Sequence, residues 1–94
     1  MVEPKVVEGK DKGKVMLYAL STCVWCKKTK RLLSDLGVKY SYIFVDKLEG
    51  KEREEVVSDL KKYNERGSFP TIVIDDDKVI VGFKEDEIKE NLES

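Results

Sequence analysis

Histidine is absent from this chain of 94 residues, and only two cysteines are present. Without histidine, one chain cannot form a Ser–His or Cys–His nucleophile pair or a histidine metal site. The longest purely apolar run, Val15 to Leu20, is far shorter than the ~20 residues that span a bilayer. Glu3, Pro4 and Lys5 are atypical of a signal peptide. A net charge of −1 gives no strong field toward nucleic acid or an anionic membrane. We therefore expect a cytoplasmic protein that binds neither.

Short apolar runs alternate with helical patterns and predict one α/β domain over residues 14–94. The expected strands are Val15–Leu20, Tyr40–Asp46, Thr71–Ile74 and Lys78–Val81. The expected helices are Val24–Leu36, Lys51–Glu65 and Glu85–Leu92. The order β-α-β-α-β-β-α favours a parallel first crossover and a final antiparallel hairpin. The predicted architecture is a four-stranded mixed sheet flanked by three helices.

Residues 1–13 mix charged residues with glycine and proline, and two interpretations stay open. They form either an N-terminal tail or a short extra edge strand around Val6 and Val7. Later in the chain, Asp75 to Asp77 lacks the alternating ligands, glycine and distal glutamate of a calcium loop. We interpret that acidic run as the turn of the hairpin.

Both cysteines lie where the first predicted strand passes into the first helix. Ser21 and Thr22 are typical helix-start residues, Cys23 follows them, and Cys26 comes about one turn later on the apolar face. The unpaired N–H groups and the dipole at a helix start stabilise a thiolate. A C-x-x-C in this position of a cytosolic protein indicates redox chemistry rather than a structural disulfide. We predict that Cys23 attacks a disulfide and that Cys26 resolves the resulting mixed disulfide.

Several exposed positions around the cysteines have two interpretations each. Lys27, Lys28, Lys30 and Arg31 either form the solvated face of the helix or add positive charge that favours the thiolate. Trp25, between the cysteines, either packs on the protein's own surface or contacts the substrate as an aromatic anchor.

Phe69-Pro70-Thr71 is predicted to be a second part of the site. Proline is tolerated at the start of a strand because no N–H is needed there. Together with the upstream C-x-x-C and this strand order, the position predicts a cis bond before Pro70. The backbone of Phe69 is then expected to face Cys23 and to pair with an extended substrate.

Three stretches of the chain resemble the glutaredoxins, and equally the glutaredoxin-like redoxins of the NrdH type. They are Tyr18 to Lys28, Ser68 to Ile74 and Val81 to Asp86. The resemblance spans about Lys14 to Leu92. It implies a thioredoxin-like fold and an enzyme that exchanges dithiols for disulfides in electron transport and cell redox homeostasis.

The same resemblance implies roles for individual residues. By that resemblance Cys23 and Cys26 correspond to the catalytic pair, Pro70 to the cis-proline, and Gly82 to the first glycine of the family's glycine pair before the last helix. The implied substrate-binding residues surround these positions: Thr22, Val24, Trp25, Phe69, Pro70, Gly82, Phe83, Lys84 and Glu85. Lys84, Glu85 and Asp86 either bind the ends of a peptide-like thiol or are solvated capping residues.

Departures from the glutaredoxin pattern weigh against glutathione without excluding it. Leu20 stands where glutaredoxins often carry a lysine or arginine that binds a glutathione carboxylate. Val24 and Trp25 replace the usual Pro-Tyr, and Phe83 replaces the second glycine. Gly82-Phe83-Lys84 is similar to the NrdH-type redoxins, which do not rely on glutathione.

The expected partners are a disulfide-containing protein and a reductant, which is glutathione, a thioredoxin reductase or another thiol donor. We expect a monomer with no cofactor and no metal. The alternative function is a metal or iron–sulfur module, in which two chains together supply about four thiolates. A binding domain without activity is a third hypothesis, against which the intact cysteines and Pro70 argue.

Overall fold

The computed structural model describes residues 4–92. Their strands are β1 (Lys5–Val7), β2 (Val15–Ala19), β3 (Tyr40–Phe44), β4 (Thr71–Ile74) and β5 (Lys78–Val81). Their helices are α1 (Val24–Asp35), α2 (Gly50–Tyr63) and α3 (Glu85–Leu92). None of these helices is both long enough and apolar enough to cross a membrane.

The strands form one mixed sheet in the order β1-β3-β2-β4-β5. β2 and β3 are parallel, with Ala19 opposite Phe44 at their carboxyl ends, and the other pairs are antiparallel. The parallel crossover and the β4–β5 hairpin are therefore confirmed. Because parallel strands end at the same edge of a sheet, the segments that follow β2 and β3 lie side by side.

The sheet has five strands rather than the predicted four, because residues 5–7 add an edge strand. β1 pairs antiparallel with β3, with Val7 opposite Tyr40. Only Val7 of its three residues is half-buried, so the strand lacks the apolar alternation that marks a longer one. Residues 5–7 of the N-terminal segment therefore form the short edge strand that was one of its two interpretations.

Each face of the sheet carries its own apolar core. On one face, α1 and α3 pack on a cluster that includes Leu17, Leu33 and Ile88. On the other face, Val56 and Leu60 of α2 pack against β2, β3 and β4. This arrangement places the start of α1 at the carboxyl edge of the central strand.

The ends of β3 and α2 each lie two residues before the predicted ones. β3 ends at Phe44, and Val45–Lys47 form a 3₁₀ turn in place of the last two residues of the predicted strand. α2 ends at Tyr63 because Asn64 leaves the helical conformation, although its N–H still binds the Leu60 carbonyl at 2.9 Å. Both differences bring side chains toward the cysteine edge of the sheet.

Candidate active site

Cys23 is the N-cap residue of α1. Its backbone is extended, with φ −82° and ψ 119°, and its Sγ accepts the N–H of Cys26 at 3.3 Å. The Cys23 carbonyl accepts the N–H of Lys27 at 3.1 Å, which begins the helical ladder. The sulfur therefore takes the place of the usual Ser, Thr, Asp or Asn oxygen and satisfies an N–H that the helix leaves unpaired.

The two thiols are free and differ in their surroundings. Cys26 is completely buried among the apolar residues under α1, whereas Cys23 is only half-buried. Burial, and then hydrogen bonding to the Cys23 side chain, raise the pKa of Cys26 to about 12. Cys26 consequently keeps its proton near neutral pH. Of this pair, the sulfur that faces both solvent and the helix N–H groups belongs to Cys23.

The loop before β4 lies beside the first turn of α1. The Phe69–Pro70 peptide is cis, as predicted, and Pro70 is buried. Phe69 and Cys23 pack against the same apolar cluster. The Pro70 carbonyl accepts the N–H of Gly82 at 2.8 Å. The structure therefore brings three separated motifs together: the cysteines, Phe69-Pro70 and the segment from Gly82.

An aromatic pair joins the cysteine turn to the segment before α3. The rings of Trp25 and Phe83 stack with centroids 5.9 Å apart and an interplanar angle of 29°. Lys28 Nζ lies 4.6 Å from the Trp25 ring centre, within the range of a cation–π contact. Trp25 nevertheless remains 55% exposed and Val24 62% exposed. Trp25 thus packs on the protein's own surface and still presents an apolar face beside Cys23.

The remaining predicted substrate-binding residues lie at the rim of this region. Thr22 is exposed in the turn before Cys23. Gly82 has φ +86°, a conformation in which glycine avoids a steric cost, although a Cβ there would meet no atom within 4 Å. The Lys84 carbonyl accepts the Ile88 N–H at 3.0 Å and so begins α3, while Glu85 is exposed in its first turn. These contacts fit a capping role for Lys84.

Two polar residues of this region were not predicted from the sequence. Asp46 accepts the N–H of Ser21 at 2.8 Å and also the Ser21 hydroxyl. Asn64 donates to the hydroxyls of Ser68 at 3.0 Å and Thr71 at 3.2 Å, and so braces the loop that holds Pro70. Asp46 is the polar residue at the end of the predicted strand Tyr40–Asp46, which runs parallel to β2, and this position was the signal that could have identified it. The sequence carried no comparable signal for Asn64.

The acidic run after β4 is the predicted turn. Asp75 and Asp76 have φ values of 54° and 57°, as in the primed turns that close hairpins. Asp75 accepts the Lys14 N–H at 2.8 Å, and Asp76 lies 3.3 Å from Lys14 Nζ. Over residues 4–92, no three histidine, cysteine or acidic side chains are grouped to hold a metal ion.

Comparison with known proteins relates the chain to the glutaredoxins. The glutaredoxin family model matches residues 15–80. The crystal structure of a glutaredoxin from Methanosarcina mazei Go1 is 58% identical, with a TM-score of 0.88 over 97% of this chain and 88% of that one. Methanoredoxin from Methanosarcina acetivorans is 54% identical, with a TM-score of 0.87 over 89% of this chain and 88% of that one.

A curated bacterial protein is similar over most of its length. It is an uncharacterized glutaredoxin-like 8.6 kDa protein in the rubredoxin operon of Clostridium pasteurianum, 34% identical over 84% of this chain and 97% of its own. The TM-scores of 0.88 and 0.87 to the two solved structures confirm the predicted thioredoxin-like fold.

Proposed function

The chain belongs to the glutaredoxin family, and we propose that it is a thiol–disulfide oxidoreductase that reduces disulfides through both cysteines. The substrates are disulfides of proteins or small thiols. The observation that carries the proposal is the inequivalence of the pair: Cys23 Sγ caps α1, while Cys26 is buried with its pKa raised to about 12. Thiol–disulfide exchange by a dithiol needs one sulfur that attacks the substrate and a second that stays protonated until the mixed disulfide has formed. The geometry of Cys23 and Cys26 supports these two roles.

In the first step, the Cys23 thiolate attacks one sulfur of the substrate disulfide. The substrate S–S bond breaks, a Cys23–substrate disulfide forms, and the other substrate sulfur leaves as a thiolate that takes a proton from solvent. The N–H of Cys26, 3.3 Å from Cys23 Sγ, stabilises the negative charge before the attack. Cys26 does not compete for the substrate because it is buried and protonated.

In the second step, Cys26 loses its proton to solvent and attacks Cys23 Sγ. The mixed disulfide breaks, the second substrate thiolate leaves, and a Cys23–Cys26 disulfide forms. Once Cys23 is bound to the substrate, it no longer carries the negative charge that opposes ionisation of Cys26. The pair has then given two electrons to the substrate, and an external thiol reductant returns them.

The surface around Cys23 is suited to an extended polypeptide. The backbone of Phe69 before Pro70 offers pairing groups, and Gly82 fixes that loop through the Pro70 carbonyl. Val24, Trp25 and Phe83 supply apolar contact area next to the sulfur. We propose that the substrate contacts nine residues of this surface, three of them at its rim. They are Val24, Trp25, Phe69, Pro70, Gly82 and Phe83, and at the rim Thr22, Lys84 and Glu85.

The side chains at two positions favour a protein reductant over glutathione. Leu20 cannot attract a glutathione carboxylate, and Phe83 fills space beside Trp25 that a second glycine would leave open. We propose that a thioredoxin reductase or another protein thiol reduces the Cys23–Cys26 disulfide in a reducing cytosol. We propose that the protein acts as a monomer.

The reduced protein is expected to reduce insulin disulfides, and its oxidised form to be recycled faster by a thioredoxin reductase than by glutathione. The assay follows insulin precipitation with dithiothreitol-reduced protein freed of excess reductant. Oxidised protein is then titrated separately with glutathione and with NADPH and a thioredoxin reductase. The double variant C23S/C26S is the background control. Insulin reduction at only the background rate would contradict the proposed function, whereas faster recycling by glutathione would contradict only the choice of reductant.

A further inference from the structure

The turn that delivers Cys23 is tied to the end of the neighbouring strand by one carboxylate. Asp46 lies just beyond β3, in the 3₁₀ turn Val45–Lys47. One of its oxygens accepts the backbone N–H of Ser21 at 2.8 Å, and the other accepts the Ser21 hydroxyl. A single side chain therefore holds both the backbone and the side chain of a residue two positions before Cys23.

The contact between Asp46 and Ser21 affects the position of Cys23 directly. Ser21 and Thr22 form the turn between β2 and α1, and the Leu20 carbonyl before them accepts the Cys23 N–H at 3.3 Å. Since Leu20, Ser21 and Thr22 are consecutive, fixing Ser21 fixes the direction in which the chain enters α1. That direction sets where the Cys23 sulfur lies relative to the Cys26 N–H.

The carboxylate is suited to this task over the whole pH range of thiol chemistry. The hydroxyl and the N–H of Ser21 hold the pKa of Asp46 below its usual range. A carboxyl whose pKa is lowered is ionised above that range, so Asp46 is charged wherever a thiolate exists. Asp46 is exposed, which means that its two hydrogen bonds, and not its burial, define its position.

We propose that Asp46 is a positioning residue that acts through Ser21 to aim the Cys23 sulfur at an incoming disulfide. Its side-chain hydrogen bonds go to Ser21 and not to either sulfur. The inference rests on the proposed function, since it assigns a supporting residue to the same reaction. A displaced nucleophile lowers the rate of the chemical step far more than substrate binding, so the effect is expected in kcat.

The chain contains a matched contact at the other end of the same strand. Asp75 accepts the N–H of Lys14 at 2.8 Å, just before β2, as Asp46 accepts that of Ser21 just after it. Asp75 lies in the hairpin turn, at the end of β2 opposite Cys23. Its φ of 54° suits glycine, so Asp75→Gly removes the side chain without backbone strain. This variant controls for the general effect of loosening one end of β2.

The test compares Asp46→Ala with Asp46→Asn. Both variants remove the negative charge, but only asparagine keeps an acceptor for the Ser21 N–H and a polar group for its hydroxyl. We expect kcat for insulin reduction to fall about tenfold in Asp46→Ala, with asparagine restoring it to within about threefold of wild type. Ser21→Ala, which loses only the hydroxyl contact, is expected to lie between them. Asp75→Gly is expected to match wild type in kcat.

A second readout separates this inference from the proposed function. Iodoacetamide reacts with Cys23 without any disulfide substrate, and its rate in Asp46→Ala is expected to be several-fold below that in Asp46→Asn at the same pH. Equal alkylation rates and equal kcat values in these two variants would overturn the inference, as would an equal loss in Asp75→Gly. If wild type fails to reduce insulin, the proposed function fails, and the alkylation rates still decide the role of Asp46.

Discussion

Replacing Cys23 with serine is expected to abolish disulfide reduction, lowering the rate by at least about a thousandfold. Exchange requires a thiolate, and a serine hydroxyl at the helix N-cap does not ionise near neutral pH. The remaining thiol, Cys26, cannot substitute because it is buried and its pKa is raised to about 12. The rate is measured with insulin or a synthetic disulfide under conditions in which wild type turns over repeatedly.

Serine also preserves the local structure, which makes the comparison clean. It is a preferred N-cap residue, so its hydroxyl can accept the Cys26 N–H as the sulfur does. Circular dichroism and the thermal midpoint are therefore expected to match those of the wild type. Activity of the Cys23→Ser variant near the wild-type level would contradict the assignment of Cys23 as the nucleophile.

Replacing Cys26 with serine is expected to stop disulfide turnover and to leave the substrate bound to Cys23 as a mixed disulfide. Cys23 still attacks the substrate, but the thiol that would displace it from the mixed disulfide is missing. We expect most of the variant to carry one substrate molecule in covalent linkage after a single addition of disulfide. Mass spectrometry of the intact protein under non-reducing conditions measures the adduct, and dithiothreitol is expected to release it.

The capture experiment is done in a buffer without glutathione or other small thiols, because these would reduce the mixed disulfide and release the substrate. The Cys23→Ser variant provides the matched control, since it keeps one cysteine of the same pair and is expected to form no adduct. Continued turnover by Cys26→Ser without an accumulated adduct would contradict the dithiol mechanism and leave Cys23 acting alone.

Most of the framework could be predicted from the sequence because its signals are local. Apolar residues at helical spacing placed α1 within one residue of its observed end at Asp35. Gly37 follows the predicted end at Leu36, and its φ of +71° is the left-handed conformation in which glycine commonly ends a helix. The C-x-x-C after an apolar strand identified the candidate site, since helix-start chemistry needs only a few consecutive residues.

The rest depended on contacts between distant parts of the chain. β1 has three residues and one half-buried side chain, so pairing with β3 defines it better than any pattern of its own. β3 ends at Phe44, and two residues later the Asp46 carboxylate accepts the N–H of Ser21, a residue 25 positions earlier in the chain. The Gly82 N–H to Pro70 carbonyl bond, likewise, joins segments that only the folded sheet brings together. Such contacts leave no periodic trace in the sequence.

The central claim is that the two thiols differ in ionisation, and alkylation of the reduced native protein across pH tests it most directly. Iodoacetamide is applied between about pH 6 and pH 9, and peptide mass spectrometry quantifies each labelled cysteine. Because Cys26 is buried and its pKa is raised to about 12, Cys26 is expected to stay unlabelled under conditions in which Cys23 is labelled. Both cysteines are expected to label after unfolding in guanidinium chloride. Equal labelling of Cys23 and Cys26 in the native protein, or earlier labelling of Cys26, would contradict the account.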